Sequence, residues 1–281
     1  MPVTQHVRHM TLLGLSERYI YGRAVLLRQL EAALPVPILE ATPAMLLDWR
    51  ADMGHAPAVI CNYVSHARQF YDWARRAGLR PDNPAADIPV PRVPGRQARP
   101  IAAEDLLRAL DGAPPRIRVW LVLGAWCGLR CCEIAGLRSE NIMLRGDPPA
   151  IRVAWDATKG TTERTVPLCS FAAGELAAAG LPARGWAFRR ADGQPGPNKP
   201  WRISRLMGDY LKECDIPSVP HDLRHFFLSE FYGLDGDLLL TAQVAGHKST
   251  DSTKGYVKLK QRKAAETVRR LPVPGDLRRA A

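Results

Sequence analysis

A proline-rich segment between residues 81 and 100 limits how the chain can fold more than any other feature. It holds six prolines, and proline lacks the backbone N–H that helix interiors and central strands require. Helix-like apolar sequence lies on both sides of it. We therefore expect two domains, residues 1–91 and 100–281, joined by an extended linker at residues 92–99. The linker is basic and carries Arg92, Arg96 and Arg99.

The N-terminal domain contains the start and stop patterns of helices. Ser16 precedes an apolar stripe, and Thr42-Pro43 is a typical helix start because Thr caps the helix and Pro is tolerated at its first position. A third helix is predicted from Val59 to Gly78. Its polar face would present four basic side chains to DNA phosphates, although an ordinary solvated face explains them equally well. These four are His66, Arg68, Arg75 and Arg76.

The second domain combines helical segments with one pair of short alternating segments. An apolar segment that ends at Gly128 predicts a buried helix, and a short helix is predicted to start at Arg130. The alternating sequences at 150–158 and 162–168 predict a β-hairpin with Lys159 at its turn. Helical patterns return in the last third of the chain. The fold class predicted for the whole chain is mostly α with a small antiparallel β-sheet.

The charge favours a polyanionic partner without proving one. The formal net charge is +11, and clustered Lys and Arg gain free energy by displacing counterions from phosphates, although plain solubility explains such a charge as well. No apolar run approaches the roughly 18 residues that a membrane span needs, and the first residues lack the core of a signal peptide. The six cysteines form no CxxC pair, which indicates reduced thiols. These observations predict a cytoplasmic protein.

Four segments of the second domain hold residue types suited to reactions at a phosphodiester. Each segment is weak evidence alone, since a hairpin Lys is usually a solvated tip and a lone His usually has no catalytic role. In combination and order they resemble the tyrosine recombinase (phage integrase) family, whose active site consists of Arg, Lys, His-x-x-Arg, His or Trp, and Tyr. The matching positions are Arg130, Lys159, His221, Arg224, His247 and Tyr256.

The chemistry of these residue types is consistent with that resemblance. Two guanidinium groups, on Arg130 and Arg224, match the geometry of a phosphate whose charge grows as a nucleophile adds. His221 and His247 can donate hydrogen bonds and move protons near neutral pH. Tyr256 is the expected nucleophile, and it must be activated because a phenol ordinarily keeps its proton up to a pKa of about 10.

The resemblance also implies the role of Lys159 and the course of the reaction. Lys159 is expected to act as the general acid for the departing 5′ oxygen. A 3′-phosphotyrosyl link would store the energy of the broken bond, so religation would need neither ATP nor a metal, and the chain has no P-loop or HExxH motif. Glu133, three residues after Arg130, is a candidate for orienting Arg130 or His221. An exposed surface position is the alternative for it.

The function implied is site-specific DNA recombination by a short form of the family that lacks an arm-binding domain. Residues 1–91 resemble its helical, SAM-like core-binding domain and residues 100–281 its α+β catalytic domain, which together would clamp double-stranded DNA at core-type attachment sites. Integration or excision of a phage or mobile element, in a bacterial or phage-infected cell, is the expected context. The alternatives are strand relaxation of the type IB topoisomerase kind and a non-catalytic DNA-binding protein on the same scaffold.

The resemblance further implies how the protein assembles. The segment after Tyr256 contains a helix-like sequence, 263–271, with apolar residues near one face. By resemblance this tail would dock on a neighbouring protomer in a DNA-bound homotetramer, while the free protein stays largely monomeric. Packing of the tail on its own protomer is the alternative.

Overall fold

The computed structural model describes residues 1–93, 99–154, 163–190, 192–194 and 196–246. The chain divides into two compact units, Met1–Arg96 and Gln97–Ala281. Each unit has its own hydrophobic core. Within the described ranges, no helix is both long enough and apolar enough to cross a bilayer.

Two helices of the first unit begin where the capping residues predict. Ser16 Oγ accepts a hydrogen bond from the Tyr19 backbone N–H at 3.3 Å, and Thr42 Oγ1 accepts one from the Met45 N–H at 3.3 Å. Pro43 occupies the first helical position. The helices are α1 (Pro2–Leu12), α2 (Glu17–Ala33), a 3-10 turn (Ile38–Glu40), α3 (Pro43–Ala51) and α4 (Pro57–Arg76).

Helix α1 was not predicted from the sequence. It buries Val3, His6 and Met10, a helical spacing in which the central position holds a histidine in place of an apolar residue. The His6 ring packs against the rings of Phe70 at 5.5 Å and Trp73 at 4.8 Å, both on α4. A histidine in the buried stripe therefore concealed the amphipathic pattern.

The second unit is mostly helical and contains a small antiparallel sheet, as the sequence predicts. Residues Ile151 and Val166 are directly opposite in the sheet, so the expected strand pairing is confirmed. The expected turn at Lys159 lies outside the described residues. The strands are β1 (Ile142–Met143), β2 (Ala150–Val153) and β3 (Arg164–Pro167), in that order across the sheet.

Helix α6 forms the centre of this unit's core. Residues 119–125 of α6 are all buried, which explains why its sequence is apolar on every face. Helix α10 packs along α6, and its Leu223 touches the position of Gly124. The helices are α5 (Ala103–Asp111), α6 (Pro115–Ala125), α7 (Cys131–Ala135), α8 (Ser170–Ala178), α9 (Pro200–Glu213), α10 (Pro220–Asp235) and α11 (Leu238–Ala245).

Candidate active site

Three of the six predicted catalytic residues lie within the described structure. Arg130 immediately precedes α7, while His221 and Arg224 lie in the first turns of α10. Helix α11 ends at Ala245, two residues before one of the other candidates. Those others, His247, Lys159 and Tyr256, lie outside the described residues.

A glycine turn connects α6 to the segment that holds Arg130. Gly128 has φ +63°, a left-handed conformation that other residues adopt only with strain. A Cβ at this position would overlap the Phe227 ring, so both conformation and space require glycine. The carbonyl of Gly128 accepts a hydrogen bond from Arg224 Nη1, which links the turn to α10.

Arg224 is almost completely buried, at 1% exposure. Besides the Gly128 carbonyl, its guanidinium binds the Ala245 carbonyl, with Nη2 2.6 Å from the oxygen. Burying a charge is unfavourable unless hydrogen bonds replace the lost water. These carbonyls therefore hold the guanidinium in one position between the Gly128 turn and the end of α11.

Arg130 is held from one side and remains partly open to solvent. Its backbone N–H donates to Glu133 Oε2 at 2.8 Å, and Nη1 donates to Glu133 Oε1 at 3.1 Å. Nη1 also points at the Ala245 carbonyl at 3.5 Å. About a quarter of the side chain is exposed. The arrangement orients a cation at the edge of the site.

Glu133 lies inside the protein, so the surface position considered from the sequence is wrong. Its side chain is completely buried and pairs with Arg164 as well as with Arg130. Burial alone would raise the pKa of this carboxyl, but the hydrogen bonds and charge of Arg164, the Arg130 backbone N–H and the charge of Arg224 together outweigh burial and lower the pKa. Glu133 is therefore ionised near neutral pH and fixes two arginines at once.

Arg164 is the residue of this site that the sequence interpretation missed. It lies on β3, where burial alternates and places Arg164 and Val166 on the inner face. Its Nη1 and Nη2 donate to the two oxygens of Glu133 at 2.8 and 2.9 Å, and its Nε donates to the Val244 carbonyl at 2.7 Å. An arginine at an inward position of an alternating strand was the available signal for this contact.

His221 lies near the two arginines, and part of its surface is exposed to solvent. Its pKa is lowered, first because the neighbouring protein removes part of the water around the ring and second because Arg224 and Arg130 oppose another positive charge. The ring of His225 stands edge-on to it at 4.5 Å between centroids. A neutral imidazole at this place can accept or share a proton near neutral pH.

Two of the candidate DNA contacts are not on an exposed face. Arg68 donates to the carbonyls of Ala85 and Ile88, because the chain after α4 folds back along the helix and offers these acceptors. His66 is half-buried against the Tyr19 ring, at 5.8 Å between centroids. The prediction of an exposed position is therefore wrong for Arg68 and His66.

The other basic candidates that the structure describes are exposed. Arg75 lies 3.8 Å from Asp72, with about half of its side chain in solvent, and Arg76 lies beside it at the end of α4. Arg92 and Arg99 are exposed, while Arg96 lies outside the described residues. In the described part of the chain, no three His, Cys, Asp or Glu side chains form a group that could hold a metal ion.

Comparison with known proteins finds phage integrases and tyrosine recombinases. Residues 99–263, more than half of the chain, match the Phage integrase family. Tyrosine recombinase XerC of Rhodospirillum centenum (strain ATCC 51521 / SW) is 31% identical over 223 residues, which is 74% of this chain and 64% of that protein. This chain thus spans slightly less than two thirds of that relative. Tyrosine recombinase XerC of Myxococcus xanthus is 26% identical over 255 residues, covering 83% of this chain and 82% of that protein.

A solved structure shows the same fold. The Tn1549 transposon integrase in complex with circular intermediate DNA has a TM-score of 0.72 and 17% sequence identity. The likeness covers 91% of this chain and 93% of that one. It therefore extends over both units, and at this identity it concerns the fold alone.

Proposed function

The chain belongs to the phage integrase family of tyrosine recombinases, and we propose that it cuts and rejoins DNA at specific sites through Tyr256. One observation carries the proposal. The Ala245 carbonyl receives hydrogen bonds from both Arg130 and Arg224, so three separate segments converge at one point. His247 follows that point by two residues. This convergence of Arg130 and Arg224 supports the proposal.

The proposed reaction is a transesterification at phosphorus. The Tyr256 oxygen attacks the scissile phosphate and loses its proton to a neighbouring base, for which the neutral His221 is suited. Arg130 and Arg224 stabilise the charge that develops on the non-bridging oxygens. The bond to the 5′ oxygen breaks as Lys159 supplies that oxygen with a proton. Attack by a 5′ hydroxyl on the phosphotyrosine reverses these steps and rejoins the strand.

The decisive test is covalent trapping. Duplexes selected from random sequences by binding to the protein are nicked beside the candidate cleavage position, so that the cleaved fragment diffuses away and religation is prevented. We expect the wild-type chain to form a covalent protein–DNA adduct, and Tyr256→Phe to bind the same duplex without forming one. An adduct formed by the Phe variant would show that another residue is the nucleophile.

The same substrates separate recombination from its alternatives. A recombinase exchanges strands between two copies of its site, whereas an enzyme of the topoisomerase kind only relaxes supercoiled DNA. Binding without any adduct would favour a non-catalytic DNA-binding protein. We expect exchanged products of defined length from two matching sites.

Double-stranded DNA is the proposed partner of both units. Exposed basic residues support this for the first unit and for the linker, since Arg75, Arg76, Arg92 and Arg99 are available to phosphates. The Tn1549 integrase of similar fold is described as a complex with DNA. We propose that residues 1–91 bind the core site, that the linker at 92–99 crosses the duplex, and that residues 100–281 carry the chemistry.

Assembly on DNA is proposed to depend on the tail, which lies outside the described residues. We propose that 263–271 docks on a neighbouring protomer in a tetramer on DNA, whereas the free protein is monomeric. Truncation after Lys263 should then impair the pairing of two sites more than binding to one site. Equal losses in both assays would favour a tail that packs on its own protomer. Integration or excision of a phage or mobile element is the proposed context.

A further inference from the structure

Arg164 joins the strand side of the site to the end of α11. Its side chain is 4% exposed, and all three of its nitrogens donate hydrogen bonds. Two of these go to Glu133 and one goes to the Val244 carbonyl. A guanidinium buried so deeply is stable only when its donors are paired, so Arg164 and its three acceptors form one rigid group.

The acceptor at Val244 lies in the last turn of α11. The last carbonyls of a helix have no partner within the helix, and a cation at this end is also favoured by the helix dipole. Here the Val244 carbonyl binds Arg164, and the next carbonyl, of Ala245, binds Arg224 and Arg130. Side chains of three arginines therefore bind the last two carbonyls of α11.

The chain also packs closely on Arg164 immediately after α11. Gly246 has φ +64°, and a Cβ there would lie 2.9 Å from Arg164 Nη1 and 3.2 Å from its Cζ. Only glycine allows the backbone to approach the guanidinium this closely. This contact fixes the backbone position of Gly246, and His247 is the next residue in the sequence.

We propose that Arg164 is a positioning residue for the reaction, and that it acts by fixing the backbone from which His247 extends. The proposal rests on the function proposed above, in which His247 is one of the six catalytic candidates. Arg164 does not need to touch DNA for this role. Lysine could not replace it, because a single ammonium group cannot span the two Glu133 oxygens and the Val244 carbonyl in one plane.

The same unit contains a matched control. Arg118 on α6 also forms a two-pronged pair with a glutamate, Glu175, at 2.8 and 2.6 Å, and its Nη1 binds the Leu110 carbonyl at 2.7 Å. This pair joins α6 to α8, and its hydrogen bonds in the described structure involve none of the described residues of the candidate site. Arg118→Lys and Arg164→Lys therefore remove the same kind of interaction at two places.

The experiment measures single-turnover adduct formation in a double-mutant cycle with His247→Ala. Misplacing a reacting group by about 1 Å can cost about 100-fold, so we expect Arg164→Lys to slow cleavage by about 10- to 100-fold in the wild-type background. In the His247→Ala background, Arg164→Lys should slow cleavage by less than about 3-fold, because the side chain that Arg164 positions is already absent. Arg118→Lys should lower the melting temperature yet change cleavage by less than about 3-fold in both backgrounds.

A second variant examines the same contact without changing Arg164. Gly246→Ala would press a methyl group on the guanidinium. Gly180→Ala has the same left-handed backbone, at φ +60°, but no atom of the described residues lies within 4 Å of its new Cβ. We expect Gly246→Ala to show the same coupling to His247→Ala and Gly180→Ala to show none. If Arg164→Lys does not fold, the cycle with Gly246→Ala decides the proposal.

An equal fold-loss in both backgrounds would overturn the proposal, because a purely structural residue slows every variant alike. A wild-type rate for Arg164→Lys would overturn it too. Failure of the proposed function would give a different result. In that case the wild-type chain would form no covalent adduct, or Tyr256→Phe would still form one.

Discussion

The His6 side chain offers a sharp test of how a buried titratable group controls the stability of the first unit. His6 is 2% exposed, and in the described structure neither ring nitrogen has a hydrogen-bond partner. The charged or titratable groups near it are Arg23, His9 and His66. Each of these groups lowers the pKa of His6, so none of them stabilises a protonated His6. We predict that His6→Phe removes an acid sensitivity of the wild-type protein.

The direction and the size of this change in folding stability follow from the pKa of His6. Burial first, and then the charge of Arg23, lowers the pKa of His6 from 6.5 to about 4. Between these values the unfolded chain binds a proton that the folded chain does not, so folding stability falls as the pH drops from 6.5 to 4. At about 1.4 kcal/mol per pKa unit, the loss reaches at most about 3 kcal/mol once the pH is below 4.

The measurement is urea-induced unfolding of the full chain at several values between about pH 7.5 and pH 4.5, followed by circular dichroism. Comparing wild type with His6→Phe cancels the titration of carboxylates that both proteins share. The free energy of unfolding of the variant should rise relative to that of the wild type as the pH falls, because Phe takes up no proton. His9→Phe, on the same helix but only half-buried, should not reproduce this gain. Parallel loss of stability in wild type and His6→Phe would refute the reasoning.

Three further predictions follow from the site and the basic residues. Gly128→Ala should destabilise the protein by about 1–3 kcal/mol more than Gly180→Ala in thermal unfolding, because only its Cβ overlaps a neighbour, the Phe227 ring. Lys159→Ala should cleave ordinary DNA slowly but cleave DNA with a 5′-bridging sulfur at nearly the wild-type rate, because a thiol leaves without a proton. Arg130→Ala is the control and should stay impaired on both substrates. An equal defect of Lys159→Ala on both substrates would exclude Lys159 as the general acid. Replacing Arg75 and Arg76 by Ala should reduce the slope of log binding constant against log salt by about 0.9 for each phosphate that these side chains neutralise, whereas an unchanged slope would place DNA elsewhere.

Local patterns predicted local structure well. The caps at Ser16 and Thr42, the strand pairing of 150–153 with 164–167, and the helix start after Arg130 all depend on residues a few positions apart. Capping and alternation act over that distance, so the sequence shows them directly. The order of the six catalytic candidates was also visible, because it is a property of the sequence itself.

Interactions between distant segments were harder to predict. Arg68 was assigned to an exposed face because its helical position indicates one, but the carbonyls that bind it come from residues 17 and 20 positions later. Helix periodicity says nothing about a loop that returns to cover the helix. Likewise, α1 was missed because histidine counts as polar in a hydrophobic pattern, although the His6 ring packs among aromatic side chains like an apolar group.

The pair of Arg164 and Glu133 lies between these two cases. Alternation along β3 places position 164 on the same face as Val166, and an arginine there must find acceptors inside the protein. That much follows from the sequence, and Glu133 was already a candidate. The Val244 carbonyl does not follow, because it lies 80 residues further along the chain and only the packing of the fold brings it to Arg164. Sequence alone therefore shows that the buried charge needs a partner, whereas the fold decides that this partner is the backbone leading to His247.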